Sequence, residues 1–235
     1  MNDVAFADRA AYLEVPDVLV LADLHVGRDE SSAVTLPIGE REDLHERLAS
    51  LLERFDPETV VVAGDVVHTF DGVSDRSLET LRRLSEVCRD AGAGVELVAG
   101  NHDTALSAAW DAPVHDEYVV GEDTMTSRTV ACHGHDPPDR SADLYVFGHL
   151  HPTIEIEGDR RPCFLYGHET YGGSDVLCLP AFTRLAPGVA VNDVNAAAFD
   201  APLVPDADRL EPIVYDADAD ETFQFPPLGE IRGLL

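Results

Sequence analysis

Three largely apolar runs, VLVLA at residues 18–22, TVVVA at 59–63 and VELVA at 95–99, are separated by two stretches with helical spacing. A continuous apolar run is what a strand buried on both faces requires. Residues 39–55 set Leu44, Leu48, Leu51 and Leu52 on one stripe, and residues 75–90 do the same with Leu78, Leu81, Leu84 and Val87. Strand, helix, strand at this spacing predicts βαβ units and a largely parallel sheet. The second half differs. Short strand candidates stand at 118–120, 128–132, 144–147, 154–157, 163–166 and 176–179, with little helical pattern between them. They predict a second sheet rich in antiparallel pairs. Residues 4–15 are expected to add a hairpin. The tail after Asp200 is rich in Pro, Asp and Ala and is expected to be mostly loop, with 213–215 and 223–225 as short strands or anchors. The expectation is one α/β domain over 1–235, two packed sheets with helices outside, and an acidic tail (200–235) packed on it or trailing it.

Asp and Glu number 45 against 16 basic residues, all arginine, for a net charge of -29. The hydrophobic share of 45% argues against disorder as the reason. Adaptation to very high salt explains the acidity better, because dense charge keeps a chain soluble where repulsion is screened. The expected source is a halophilic archaeon. At molar salt the Debye length is about 3 Å, so the acidity does not exclude nucleic acid as substrate. It does argue against a broad basic binding face. No run of sequence is long and apolar enough to span a bilayer, and residues 1–10 lack a basic region followed by an apolar one. No membrane association and a cytoplasmic location are expected. Cys88, Cys132, Cys163 and Cys178 show no CxxC spacing and are expected to be reduced and buried. Cys132 adjoins His133 and is the one exception to watch.

Each buried run ends in chemistry. Asp23-Leu24-His25 follows the first, Gly64-Asp65 with His68 the second, and Gly100-Asn101-His102-Asp103 the third. His133-Gly134-His135 follows residues 129–132, and Gly148-His149-Leu150-His151 follows 145–147. Ligands of open α/β sheets bind beyond the carboxyl ends of strands. Five strands delivering such residues to one edge describe one site. In extended chain i and i+2 point the same way, so Asp23 and His25 are expected to face one metal, and His149 and His151 one pocket. The glycines before Asp65, Asn101 and His149 remove a side chain where the backbone turns sharply near an ion. Oxygen and imidazole donors without thiolate suit Mn, Fe, Zn or similar divalent ions. Seven such groups exceed one tetrahedral site and suit two metals sharing a carboxylate.

In order, these are DxH, GDxx(H/D), GNHD, a later strand-ending histidine (often GH) and GHxH, all within residues 23–151. The chain thereby resembles the calcineurin-like metallophosphoesterases. DLHVG (23–27), LPAF (179–182) and the overall length are similar to a group of small archaeal and bacterial phosphoesterases, some of them associated with DNA ligase. The resemblance implies a four-layer α/β/β/α sandwich. It implies that Asp23, His25 and His151 hold one metal, that Asn101, His133 and His149 hold the other, and that Asp65 bridges them. Mn is the metal first expected, with Fe, Zn, Ni or Co as alternatives. His102 would face the substrate phosphate, Asp103 would orient its imidazole, and His68 would assist from behind. A water bridging the two cations would be the nucleophile. Arg28 would fork onto a non-bridging phosphate oxygen.

The expected activity is hydrolysis of a phosphodiester, nucleotide or small molecule, by a dinuclear centre. A DNA or RNA nuclease linked to repair or ligation is the alternative. A non-catalytic protein-binding scaffold on the same fold is the alternative of another class. His45 and His115 read as surface residues, His135 as a neighbour of the ligands or a loop residue, and His168 as a loop residue. Oligomeric state is open.

Overall fold

The computed structural model describes residues 3–31, 39–69, 72–124, 127–192 and 199–232. The first half runs β1 (Val4–Ala7), β2 (Ala10–Leu13), β3 (Val18–Leu21), α1 (Arg28–Ser31), α2 (Glu40–Phe55), β4 (Thr59–Ala63), α3 (Asp75–Asp90), β5 (Gly94–Val98), α4 (Leu106–Ala109) and β6 (Val114–His115). Its six strands form one sheet in the order β1-β2-β3-β4-β5-β6. β3, β4, β5 and β6 are parallel neighbours, and the predicted hairpin β1–β2 extends the sheet antiparallel at one edge.

The second half runs β7 (Glu117–Thr124), β8 (Ser127–Cys132), β9 (Leu144–Phe147), β10 (Pro152–Ile156), β11 (Asp159–Pro162), β12 (Phe164–Tyr171), β13 (Ser174–Cys178), β14 (Val189–Ala190), β15 (Glu211–Asp216), β16 (Glu221–Gln224) and α5 (Leu228–Ile231). Seven of these strands make a second sheet, β16-β15-β12-β13-β9-β8-β7. It is mixed rather than simply antiparallel. β8, β9 and β13 run parallel in a register that aligns Cys132, Phe147 and Cys178. The residues that follow, His133, Gly148 and Leu179, therefore leave the sheet at one edge. A small third sheet is formed by β11-β10-β14.

The layers follow from burial. Leu44, Leu48, Leu51 and Leu52 of α2, with Leu81 and Leu84 of α3, pack on one face of the first sheet. Burying each leucine contributes roughly 2 kcal/mol. Leu78 and Val87, predicted on the α3 stripe, are half-buried at its margin. Between the sheets lie Val20, Val61, Val98, Val146, Phe164 and Leu177. The fourth layer is thin. Leu203, Val204, Leu210, Leu228 and Ile231 cover the outer face of the second sheet, together with Ile154 of β10. The tail carries short strands where they were expected, as β15 and β16, but it is more ordered than mostly loop: β15 pairs with β12, and the tail's apolar residues close a core. Those residues stand in ones and twos without a sustained period, so no pattern betrays them. Helices of the described residues are all too short or too polar to cross a membrane. The four cysteines are free and buried. Burial pushes the Cys132 thiol up to about 12, so it is no thiolate donor beside His133.

Candidate metal centre

The ends of β3, β4, β5, β8 and β9 meet at one edge of the two-sheet core. The first two loops are zipped together by backbone bonds: Asp23 N to Gly64 O at 3.1 Å, His25 N to Asp65 O at 2.8 Å, and His68 N to Val26 O at 3.0 Å. Asp23, His25, Asp65, His149 and His151 all adopt left-handed backbone, with φ of 54°, 47°, 43°, 68° and 45°. This corrects the extended-chain expectation. Asp23 and His25 do face one another's partners, but through two left-handed turns rather than a pleat. Such turns cost on the order of 1–3 kcal/mol each and persist where the surroundings over-determine them. Asp tolerates them better than most side chains.

The three glycines make room for ligands' side chains. A methyl on Gly64 would overlap the His133 ring, one on Gly100 would overlap the Asp65 carboxylate and backbone nitrogen, and one on Gly148 would overlap the Asp23 carboxylate. Only Gly64 of the three also needs the left-handed region, at φ 85°.

Two groups of donors result. In the first, Asp23, His25, Asp65 and His151 present ligand atoms within 4.8 Å of one another. Asp23 Oδ2 lies 3.4 Å from His151 Nε2, and His25 Nε2 lies 3.3 Å from that same nitrogen. In the second, His133 Nε2 lies 3.0 Å from Asn101 Oδ1, 3.2 Å from His149 Nδ1 and 3.5 Å from Asp65 Oδ1. Asp65 touches both groups, since its other oxygen is 3.7 Å from His25 Nε2. His149 and His151 both face the site around Asp65, but they turn into different groups. The far nitrogen of His149 donates to the Asp200 carbonyl at 3.1 Å, which leaves Nδ1 with its lone pair toward His133.

The electrostatics suit cations. Burial drives His25 and His133 down to about 3 and also lowers His149. Burial works to raise Asp23, but hydrogen bonding to His151 and the nearby imidazoles hold it below the usual carboxylate range. Burial and then the Asp23 charge push Asp65 up to about 7. Burial opposes charge on His151, yet its bond to Asp23 raises it overall. Neutral imidazoles and an ionised aspartate are the forms that coordinate metal. Asp23 Oδ1, His25 Nδ1 and His133 Nδ1 are buried without a hydrogen-bond partner. The atoms that meet inside each group are other ones, His25 and His151 Nε2 with Asp23 Oδ2 in the first and His133 Nε2, His149 Nδ1 and Asn101 Oδ1 in the second; all are metal-ligand types, and a divalent cation would stabilise their close approach.

The surrounding residues differ from expectation at Asp103, and also at His115 and His168, expected at the surface and on a loop. Asp103 does not bond the His102 imidazole in the observed geometry. Its carboxylate accepts from the backbone of Val66 (3.0 Å), Val67 (2.9 Å) and Gly100 (2.8 Å), tying the β4 and β5 loops together. The His102 ring is oriented instead by the His68 carbonyl, 2.7 Å from Nδ1. Its Nε2 then points inward, 3.7 Å from Asp65 Oδ2. The His68 ring stacks on it, centroids 5.7 Å apart, and also joins His25 and His102 in a cluster of imidazole nitrogens within 4.8 Å. Arg28 begins α1, close enough for its charge to add to burial in lowering His68 and to oppose the rise of His151. His135 sits beside the second group, its ring 5.0 Å from that of His133. His168 lies elsewhere, exposed on β12 and 2.9 Å from Asp175. His45 is exposed, whereas His115 is half-buried against Glu96 at 2.8 Å.

Sequence reasoning missed two supports. Glu40, buried at the start of α2, accepts from the backbone nitrogens of Gly27 (2.9 Å) and Arg28 (3.1 Å) and so anchors the loop after His25. Arg47 donates to the Phe182 carbonyl at 2.6 Å, and that segment bonds Ala22 and Asp23 through the nitrogens of Phe182 and Thr183. A buried arginine on the leucine stripe of α2 was the available signal.

The family profile described as calcineurin-like phosphoesterase matches residues 16–178, more than half of the chain. The chain belongs to that family, whose members hydrolyse phosphoric esters with bound metal. Among solved structures it is similar to the nuclease MPE of Pseudomonas putida, at 25% identity and a TM-score of 0.57, covering 88% of each chain. It is also similar to YfcE, a phosphoesterase from E. coli, at 18% identity and a TM-score of 0.49, covering 89% of this chain and 98% of that one. No curated protein matches it in sequence.

Proposed function

We propose that the chain hydrolyses a phosphodiester, of a nucleotide or other small molecule, with two divalent cations held by the two donor groups. Asp23, His25 and His151 hold one cation, Asn101, His133 and His149 the other, and Asp65 is shared. The observation that carries this reading is the convergence of six donors around Asp65, whose oxygens lie 3.7 Å from His25 and 3.5 Å from His133. Manganese suits the oxygen and imidazole set. Bound there, the cations supply Lewis-acid activation of water and offset the phosphate charge that builds in the transition state.

The chain's own residues do the rest. The buried carboxylates and neutral imidazoles fix the cation positions. His102, held by the His68 carbonyl, keeps Nε2 toward the phosphate, where it stabilises or protonates the departing oxygen. Arg28 reaches a non-bridging phosphate oxygen.

Nuclease activity is the second reading, favoured by the similarity to the P. putida nuclease over 88% of both chains. A place beside DNA repair or ligation, and work in a salt-rich cytoplasm, belong to the same proposal; the net charge of -29 supports the second. The test is a turnover screen in molar KCl with Mn²⁺, comparing bis-p-nitrophenyl phosphate, p-nitrophenyl phosphate, cyclic nucleotides and single- and double-stranded DNA. Diester turnover by wild type that Asp65→Asn abolishes supports the reading. No turnover by wild type on any substrate favours a protein-binding scaffold.

A further inference from the structure

Two clefts open beside the donor groups, and their charges are opposite. The one at His133 and His135, about 310 Å³, is walled by Asp116, Glu117, Asp136 and Asp139. The one at His151, about 120 Å³, lies between the β1–β2 turn and the β10–β11 hairpin, and none of the residues lining it is acidic. Its polar groups are Arg9, Arg160, Thr153 and His151 itself. In a chain with 45 acids and 16 arginines, an acid-free cleft holding two arginines is a local inversion of the surface.

Asp8 and Asp43 act on Arg9 only at longer range. Among the described residues, no Asp or Glu oxygen lies within 4.0 Å of the Arg9 or Arg160 guanidinium. Arg9 is fixed in place by Nη1 donating to the carbonyls of Ala181 (3.0 Å) and Thr183 (2.6 Å). Arg160 donates to the Pro187 carbonyl at 3.3 Å. The Thr153 hydroxyl is buried without a hydrogen-bond partner. Guanidinium forks match phosphate oxygens, and contacts this direct survive molar salt because they are no longer than its Debye length of about 3 Å.

We propose that the Arg9–Arg160 cleft is a subsite for a second phosphate, the neighbour of the one being hydrolysed. The subsite rests on the phosphodiesterase reading above and gives it a direction. The phosphorylated side of the substrate lies over His151, and the uncharged side lies toward the acidic cleft at His133. Substrates with adjacent phosphates, an oligonucleotide strand or a nucleoside polyphosphate, are preferred over isolated diesters.

Two measurements test this. With metals chelated, inorganic pyrophosphate binds wild type at millimolar concentration, binds Arg160→Glu about tenfold more weakly, and binds Arg83→Glu, a charge control on α3, as it binds wild type. No binding to wild type, or equal binding to Arg160→Glu, overturns the subsite whatever the catalytic activity. With manganese, KM for the 5′-phosphorylated dinucleotide pTpT is about tenfold below that for TpT, and Arg160→Glu closes the gap. Equal KM values in wild type overturn the subsite. ADP inhibiting better than AMP, by the same Arg160-dependent margin, assigns it to nucleoside polyphosphates as well as strands. If neither dinucleotide is cleaved, the pyrophosphate titration alone decides the subsite, and the substrate screen above decides the phosphodiesterase reading.

Discussion

His102 donates its Nδ1 proton to the carbonyl oxygen of His68 across 2.7 Å. That bond fixes the orientation of the ring and leaves Nε2 as the nitrogen that faces the substrate. Replacing His102 with Ala should lower kcat about 10²–10⁴-fold, the range of one acid–base group. Metal content, read by elemental analysis, should stay at the wild-type level, because the ring is no ligand in this reading. Loss of metal along with turnover would put His102 in the ligand set.

Asp103 is a structural clasp. Its two oxygens take three backbone N–H groups from two loops. An amide in its place turns an NH₂ toward one of those donors. Asp103→Asn should therefore cost about 2 kcal/mol in denaturant unfolding, as a buried bond to charge is lost and a donor is stranded. Below its unfolding range the variant should keep more activity than His102→Ala. An equal loss of turnover with unchanged stability would return Asp103 to the catalytic set.

Gly100 has no space for a side chain, since a methyl there meets Asp65 directly. Gly100→Ala should destabilise the fold by about 1–3 kcal/mol, the usual cost of overpacking. It should also displace the shared carboxylate, so metal occupancy should fall together with activity. Full occupancy in a stable variant would count against the central place given to Asp65.

Glu40 gives a pH signature away from the ligands. Burial pushes its carboxyl up from 4.5 to about 7, against the pull of the Gly27 and Arg28 amides. The folded state then holds a proton that the unfolded state has released between those values. Glu40 should therefore favour folding most below pH 4.5, and that contribution should decline as pH rises to about 7. Glu40→Gln cannot ionise, so its stability relative to wild type should rise across this window and level off above it. Unfolding titrations of both proteins at several pH values would measure the difference; parallel curves would contradict it.

Much of this was legible in one dimension. The runs at 18–22, 59–63 and 95–99 became β3, β4 and β5, because a strand buried on both faces leaves no freedom in residue type. The leucines of α2 face the first sheet as their spacing required. What the pattern missed depends on distant partners. Leu228 and Ile231 look like isolated residues in an acidic tail, yet they close the core over the second sheet. Asp103 looks like a partner for its neighbour His102, but three amides on two loops compete for it and prevail.

The amino-acid order alone set which residues stand at the strand ends, since burial forces polar chemistry to begin where the apolar runs stop. Folding decided how they are shared out: His149 turns to His133 at 3.2 Å and His151 to His25 at 3.3 Å, although only Leu150 separates them. That division rests on left-handed turns and on the alignment of two sheets. Both are held by contacts between segments more than a hundred residues apart, such as His149 N to Asp23 Oδ2 at 2.9 Å, and local sequence carries no record of them.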